Sequence, residues 1–155
     1  MKKLRVYVDT SVVGGYFDVE FEEWSKALVT DFRAGRYKAV VSNVVTKEIA
    51  AAPDFVRELY AEVLSWPAEV VSVDDEALAL VAQYKAHGVL SDRFLEDMLH
   101  IALATISEVD VLVSWNFKHI VRLDKIRLFN AVNLEQGYKP LTIYSPREVI
   151  SYERE

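Results

Sequence analysis

The sequence contains no cysteine, few glycines and prolines, and no long apolar run. The absence of cysteine excludes disulfide bonds and thiolate metal sites. With 5 glycines and 4 prolines in 155 residues, the chain shows no linker, repeat or low-complexity segment. No apolar stretch approaches the ~18 residues of a membrane span, and the first apolar run is too short for a signal peptide. We therefore expect a single cytoplasmic domain over residues 1–155 that does not engage a membrane.

Acidic residues outnumber basic ones, 24 to 18, and the net charge is −6. This balance argues against a protein that coats nucleic acid by charge alone. It is compatible with an enzyme that holds metal ions, since a cluster of metal-binding carboxylates makes a chain acidic until the metal is bound.

What the sequence does contain is a regular alternation of short apolar runs with longer helical patterns. The apolar runs predict five strands, at residues 4–8, 37–41, 69–73, 111–114 and 141–144. Helical spacing and capping residues predict helices at 13–17, 21–33, 43–51, 54–65, 76–87, 93–106, 123–133 and 146–150. Such alternation is typical of βαβ units and of an α/β fold with a mainly parallel sheet.

Two polar residues directly follow predicted strands. Asp9 follows residues 4–8, and Asn116 comes shortly after residues 111–114. In an open parallel sheet, ligands bind at the carboxyl ends of the strands, so both residues are candidates for a functional site. The alternatives are a helix cap for Asp9 and a turn residue for Asn116.

Two further carboxylates lie on predicted helices. Glu48 comes just after the second strand, and Asp97 lies on a mostly apolar helix whose polar stripe is Arg93, Glu96, Asp97 and His100. Taken singly, Glu48 is explained as a surface residue and Asp97 as the partner of Arg93. Taken together with Asp9 and Asn116, they follow successive units that converge on one edge of the sheet.

Three converging carboxylates need a neutralising charge. Two carboxylates about 4 Å apart repel by roughly 4 kcal/mol at an effective dielectric constant of about 20. A cluster of Asp9, Glu48 and Asp97 is therefore tolerable only when protons or cations neutralise it. Hard cations such as Mg²⁺ and Mn²⁺ prefer such oxygen ligands, and the pattern indicates a divalent metal site.

Four segments in this order resemble the motifs of PIN domains. They are VYVDTS at residues 6–11, TKEI at 46–49, DMLHIALA at 97–104 and SWNFKHI at 114–120. Their order, spacing and alternation with helices match over nearly the whole chain. The resemblance implies a three-layer α/β/α fold around a parallel sheet of about five strands. It also implies hydrolysis of RNA phosphodiester bonds with one or two Mg²⁺ or Mn²⁺ ions.

The resemblance also implies roles for individual residues. Three carboxylates would hold the metal and an amide would take the fourth active-site position, namely Asp9, Glu48, Asp97 and Asn116. That fourth position is often Asp, so the amide lowers the charge of the site by one and a second metal is expected to bind weakly. Thr10 and Ser11 are candidates for orienting a phosphate or a ligand carboxylate. His100 either bonds locally in the core, the reading we favour, or supports a metal ligand from behind.

Many single-domain members of the family are VapC-type toxins, so the resemblance implies an RNA substrate, an antitoxin protein and a homodimer as partners. A candidate dimer surface is the set Phe55, Leu59 and Tyr60, which core packing explains equally well.

Residues 115–128 carry a local excess of basic groups, and His119 can add to this charge. The basic groups are Lys118, Arg122, Lys125 and Arg127. This segment either contacts the RNA backbone or forms an ordinary solvated face.

Two other interpretations stay open. The chain could be a weak or inactive PIN-like module that binds RNA or a protein through the same pocket. It could also be another α/β phosphohydrolase, such as a phosphatase of the haloacid-dehalogenase class, although Ser11 stands where that class needs a second Asp. A nucleotide-binding fold is less well supported, because Gly14 and Gly15 are not part of a G-x-G-x-x-G or Walker motif.

Overall fold

The computed structural model describes residues 2–152, and a parallel sheet of five strands forms its centre. The strands are β1 Leu4–Val8, β2 Tyr37–Ser42, β3 Glu69–Val71, β4 Val111–Val113 and β5 Ile143–Tyr144. Their spatial order is β3-β2-β1-β4-β5, and every neighbouring pair is parallel. The chain therefore builds the sheet outwards from β1 first on one side and then on the other, which places a topological switch point between β1 and β4.

Helices connect the strands. They are α1 Thr10–Gly15, α2 Glu22–Arg33, α3 Asn43–Ile49, α4 Asp54–Ser65, α5 Asp75–Ala86, α6 Leu95–Ile106, α7 Leu123–Glu135 and α8 Pro146–Val149. A 3₁₀ turn, Asp92–Phe94, leads into α6. No helix among residues 2–152 is both long enough and apolar enough to cross a membrane.

Each face of the sheet carries its own apolar core. Tyr7, Val40 and Leu112 point to one face and pack with residues of α5, α6 and α7. Val6 and Val113 point to the other face and pack with residues of α1, α2 and α4. Because side chains alternate along a strand, an apolar run serves both faces at once. The predicted three-layer α/β/α fold with a parallel sheet is thereby confirmed.

Two predicted helix starts were wrong, and a capping contact explains the first of them. The first helix begins at Thr10 rather than at residue 13, because the Asp9 side chain accepts a hydrogen bond from the Val12 N–H and caps it. The helix predicted for residues 93–106 is α-helical only from Leu95. Ser42 caps α3, as predicted for Ser42 or Asn43.

The proposed dimer surface on α4 is only partly exposed. Phe55 is half exposed and packs edge-on against Phe17, with ring centroids 4.7 Å apart. Leu59 and Tyr60 are buried in the core beneath the same helix. Core packing therefore accounts for two of the three residues, and only Phe55 is available on the surface of this chain.

The two glycines of α1 provide a matched test of the packing beside β4. A Cβ atom at Gly15 would lie 2.8 Å from both Ser25 Oγ and the Trp115 ring, whereas a Cβ atom at Gly14 meets nothing within 4 Å. Gly15→Ala is expected to lower the free energy of unfolding by about 1–3 kcal/mol through overpacking. Gly14→Ala should raise it by up to about 1 kcal/mol, because alanine favours the helix. Denaturant unfolding of both variants checks this, and equal shifts would contradict the packing.

Candidate active site

The candidate residues lie around the carboxyl ends of β1 and β4. Asp9 directly follows β1 and caps α1, while Asn116 follows β4. Glu48 lies on α3, which begins where β2 ends, and Asp97 lies in the first turn of α6. Parallel strands bring all of these elements to one edge of the sheet, at the switch point where ligands bind in open α/β folds.

Asp9 is a buried carboxylate held by hydroxyl and amide donors. Its side chain accepts hydrogen bonds at Oδ1 from Ser11 Oγ (2.6 Å) and the Val12 N–H (3.3 Å), and at Oδ2 from Ser114 Oγ (2.5 Å). The residue is 3% exposed, and no salt bridge reaches it within residues 2–152. Burial raises the pKa of Asp9, and neither the nearby His100 nor the hydrogen bonds from Ser11 and Ser114 offset that effect. No ion pair within residues 2–152 therefore neutralises an ionised Asp9.

The pKa of Glu48 is shifted in the opposite direction, downward. Its Oε1 atom accepts hydrogen bonds from Thr10 Oγ1 (3.0 Å) and from His100 Nε2 (2.7 Å). Burial raises the pKa of Glu48, but the donors His100 and Thr10 lower it by more, and the net direction is downward. Its Oε2 atom accepts no hydrogen bond from residues 2–152. Glu48 is thus an ionised carboxylate with one oxygen fixed and the other available.

Asp97 is held by the turn that follows β4. Its Oδ1 atom accepts a hydrogen bond from Asn116 Nδ2 (3.2 Å), and its Oδ2 atom lies 2.9 Å from His119 Nδ1. Asn116 also accepts the His119 N–H at 3.0 Å, and the His119 ring packs against Phe94. The expected pair between Asp97 and Arg93 is absent within the described chain, since the Arg93 guanidinium lies over the Phe94 ring instead.

Serine side chains join the turn after β1 to the turn after β4. Ser11 Oγ accepts the Trp115 N–H at 2.9 Å, and Ser114 Oγ accepts the Asn116 N–H at 2.9 Å. Because the same two hydroxyls donate to Asp9, the position of the buried carboxylate and that of Asn116 are fixed together.

The basic segment after β4 is less free than its composition suggests. Arg122 forms an ion pair with Asp124 (2.8 Å), and Lys125 donates to the Val89 carbonyl oxygen (2.7 Å). Lys118 is exposed next to the site, and His119 is mostly buried against Asp97. Arg127 is exposed on α7. Of the predicted cationic groups, Lys118 is the exposed one in the turn after β4, two residues after Asn116.

Comparison with known proteins shows the fold. No protein-family model matches the chain, and no curated protein matches it. The crystal structure of VapBC2 from Rickettsia felis bound to a DNA fragment from their promoter matches 92% of this chain and 98% of that chain, at 10% identity and a TM-score of 0.57. The structure of FitAB bound to an IR36 DNA fragment matches 97% and 99%, at 14% identity and a TM-score of 0.58. FitAcB from Neisseria gonorrhoeae matches 92% and 98%, at 14% identity and a TM-score of 0.59.

The chain has a VapC-like PIN-domain fold. The matches extend over 92–97% of this chain and 98–99% of each matched chain. At such low identities the likeness concerns the fold, and the roles of side chains rest on the geometry of this chain.

Within this PIN fold, the predicted site residues come close together without forming one metal cage. Thr10 joins the loop of Asp9 to Glu48, and Ser114 joins Asp9 to the turn of Asn116. Asp97 instead turns towards His119. No group of three or more His, Cys, Asp or Glu side chains in residues 2–152 is arranged to share one metal ion.

Three contributors to the site were missed by sequence reasoning. Ser114 donates to Asp9, while Tyr7 and Ser42 continue the hydrogen bonding of His100 into the core. Each is a hydroxyl-bearing residue inside or at the end of an otherwise apolar strand run. A buried hydroxyl needs a hydrogen-bond partner, so this interruption of the apolar pattern was the available signal.

Proposed function

We propose that the chain is a metal-dependent ribonuclease that hydrolyses phosphodiester bonds in RNA. The observation that carries this proposal is the pair of carboxylates at the edge of a PIN fold. Asp9 is buried without an ion-pair partner among residues 2–152, and Glu48 is ionised with Oε2 available. A carboxylate pair of this kind is stabilised by a hard divalent cation, and its oxygen donors suit Mg²⁺ or Mn²⁺.

The donor set fits such a cation in chemistry and charge, and Asp9, Glu48 and Asp97 would hold it. A bound divalent cation supplies Lewis-acid activation of water and neutralises charge on the phosphate. Ser11 and Ser114 fix the carboxylate of Asp9 for this role. Each Asp97 oxygen accepts one hydrogen bond, from Asn116 or His119, and keeps a lone pair for a metal ion.

The RNA would approach over the turn that follows β4. Lys118 and the half-exposed ring of Phe117 lie on that turn, directly after Asn116. A lysine contacts phosphate as a point charge, and an exposed aromatic ring accepts a stacked base. We assign backbone contact to Lys118.

We further propose that the chain is the toxin of a toxin–antitoxin pair. The similar structures are those of VapBC2 and FitAB, each bound to a DNA fragment, and of FitAcB. By that likeness, the partners of this chain would be a DNA-binding antitoxin and a second copy of the chain. Phe55 and Phe17, which are paired and partly exposed, are the residues we assign to a protein contact.

A second candidate is a PIN-fold module without nuclease activity. The placement of Asp97 favours it, because Asp97 is held towards Asn116 and His119, and no three His, Cys, Asp or Glu side chains in residues 2–152 are arranged to share one metal ion. Calorimetric titration with Mn²⁺ separates the candidates. Binding supports the nuclease, and the absence of binding even with RNA present supports the inactive module.

The ribonuclease proposal is tested with the purified chain, a single-stranded RNA and Mn²⁺. We expect cleavage that stops when the metal is chelated, and a loss of about 10³-fold in Asp97→Asn, since metal catalysis supplies several kcal/mol of transition-state stabilisation. Glu96→Gln is the matched control, because Glu96 is exposed on the same turn of α6. Equal cleavage by the Asp97 variant and its control would contradict the proposal.

A further inference from the structure

A continuous chain of hydrogen bonds runs from Glu48 into the core of the protein. His100 Nε2 lies 2.7 Å from Glu48 Oε1, and His100 Nδ1 lies 2.7 Å from the hydroxyl of Tyr7. The Tyr7 hydroxyl lies 2.7 Å from Ser42 Oγ. Tyr7 and Ser42 are fully buried and His100 is 3% exposed, so solvent does not interrupt this series of hydrogen bonds.

Counting the available protons shows which group donates and which accepts in each of these hydrogen bonds. Ser42 Oγ caps α3 and accepts the N–H groups of Val44 and Val45, at 3.2 and 3.4 Å. Within residues 2–152, the Tyr7 oxygen is the one acceptor available to the Ser42 hydroxyl proton. The Tyr7 hydroxyl must then donate to His100 Nδ1, because it has a single proton to give.

It follows that His100 carries its proton on Nε2. An Nδ1 atom that accepts from Tyr7 bears no proton, and the neutral ring then donates from Nε2 to the acceptor-only carboxylate of Glu48. The opposite order would leave the buried Ser42 hydroxyl without an acceptor, which is costly in a core. The relay is thus one-directional, from the start of α3 through Ser42, Tyr7 and His100 to Glu48.

We propose that Ser42, Tyr7 and His100 form an ordered relay that holds His100 as its Nε2–H tautomer and positions Glu48 as a metal ligand. The role of Glu48 as a metal ligand rests on the proposed function, whereas the tautomer of His100 does not. With Oε1 fixed by His100 and Thr10, the carboxylate keeps one orientation and Oε2 stays available. His100 is a positioning residue, since it acts through Glu48.

The tautomer is tested by ¹⁵N NMR of the histidine rings at neutral pH. The sequence has three histidines, so single substitutions of His87 and His119 assign the His100 signals. We expect a protonated Nε2 and an unprotonated, hydrogen-bonded Nδ1. An Nδ1–H tautomer or a doubly protonated ring would overturn the relay, whether or not the protein cleaves RNA.

The positioning role is tested by Mn²⁺ affinity measured by calorimetry in two matched variants. Glutamine places its amide nitrogen near the His100 Nε2 position and keeps a donor for Glu48, whereas asparagine reaches only the Nδ1 position. His100→Asn is expected to weaken Mn²⁺ binding by about 10–100-fold, the range for lost support of a metal ligand. His100→Gln should restore most of the affinity, although each variant loses one hydrogen bond of the relay.

The outcomes separate the inference from the proposed function. Equal Mn²⁺ affinity in the wild type and both variants would overturn the positioning role while leaving the nuclease intact. Equal weakening in both variants would mean that His100 acts through packing alone, and would also overturn it. If the wild type binds no Mn²⁺, the metal-dependent function and the role of Glu48 fall together, and the NMR result still decides the relay.

Discussion

Replacing Asp9 by Asn is expected to lower metal-dependent RNA cleavage by about 10³-fold or more, because the loss of several kcal/mol of transition-state stabilisation corresponds to that factor. Asp9 directly follows β1, is buried, and is held by Ser11 and Ser114 in one position. Asparagine has nearly the same shape and caps a helix as well as aspartate does. The substitution therefore removes the charge at the site and leaves α1 in place.

The same variant should be at least as stable as the wild type at neutral pH without metal. Burial raises the pKa of Asp9 above its ordinary value of 3.8, so the folded chain holds this proton more tightly than the unfolded chain. The contribution of Asp9 to stability is then full below the unfolded pKa and declines as the pH rises through the raised folded pKa. Asparagine has no such decline.

An RNA-cleavage assay with Mn²⁺ checks the first expectation, and thermal unfolding without Mn²⁺ checks the second. Thermal unfolding with Mn²⁺ also tests whether Asp9 is a metal ligand. A ligand at 100 times its dissociation constant stabilises the folded state by about 2.7 kcal/mol, and we expect this gain in the wild type and its loss in Asp9→Asn. Asp75→Asn is the control, since Asp75 is exposed in the first turn of α5 and makes no side-chain hydrogen bond or ion pair with the site residues among residues 2–152. Metal stabilisation of the Asp9 variant equal to that of the control would show that Asp9 is not a ligand.

The sequence predicts strands well where the apolar run itself decides the boundary. Residues 4–8 were predicted as a strand and form β1, because the run is flanked by lysines and by the capping Asp9. The outer strands were predicted too long. β5 pairs with only two residues of the short strand β4, and β3 pairs with three residues of β2. Strand length at the edge of a sheet depends on the partner, which local sequence does not reveal.

The sequence spacing also suggested the wrong partner for Asp97, because the partner depends on tertiary packing. An ion pair between Arg93 and Asp97 assumes α-helical spacing over both residues, but residues 92–94 form a 3₁₀ turn and α6 begins at Leu95. The actual partner, His119, lies 22 residues further along the chain. The position of Asp9 could be predicted because it depends on one strand end, whereas the partners of Asp97 depend on tertiary packing.

Restoring a carboxylate at the fourth position should change stability in opposite directions with and without metal. In Asn116→Asp, a carboxylate oxygen replaces the amide nitrogen that now donates to Asp97 at 3.2 Å. Two carboxylates about 4 Å apart repel by roughly 4 kcal/mol at an effective dielectric constant of about 20. The Asp97 side chain is 23% exposed, and solvent screens part of this repulsion, so we expect a loss of about 1–3 kcal/mol in unfolding free energy without metal.

With Mn²⁺ the sign of the effect should reverse, because an added ligand charge strengthens the hold on a hard cation. We expect Asn116→Asp to bind Mn²⁺ about 10-fold more tightly, which corresponds to about 1.4 kcal/mol. Asn116→Ser is the matched control, since it removes the amide donor to Asp97 without adding charge. Denaturant unfolding and calorimetry of the two variants separate the lost hydrogen bond from the added charge. If the aspartate variant keeps wild-type stability without metal and gains no affinity, then Asn116 does not share an electrostatic site with Asp97, and the fourth position lies outside the active centre.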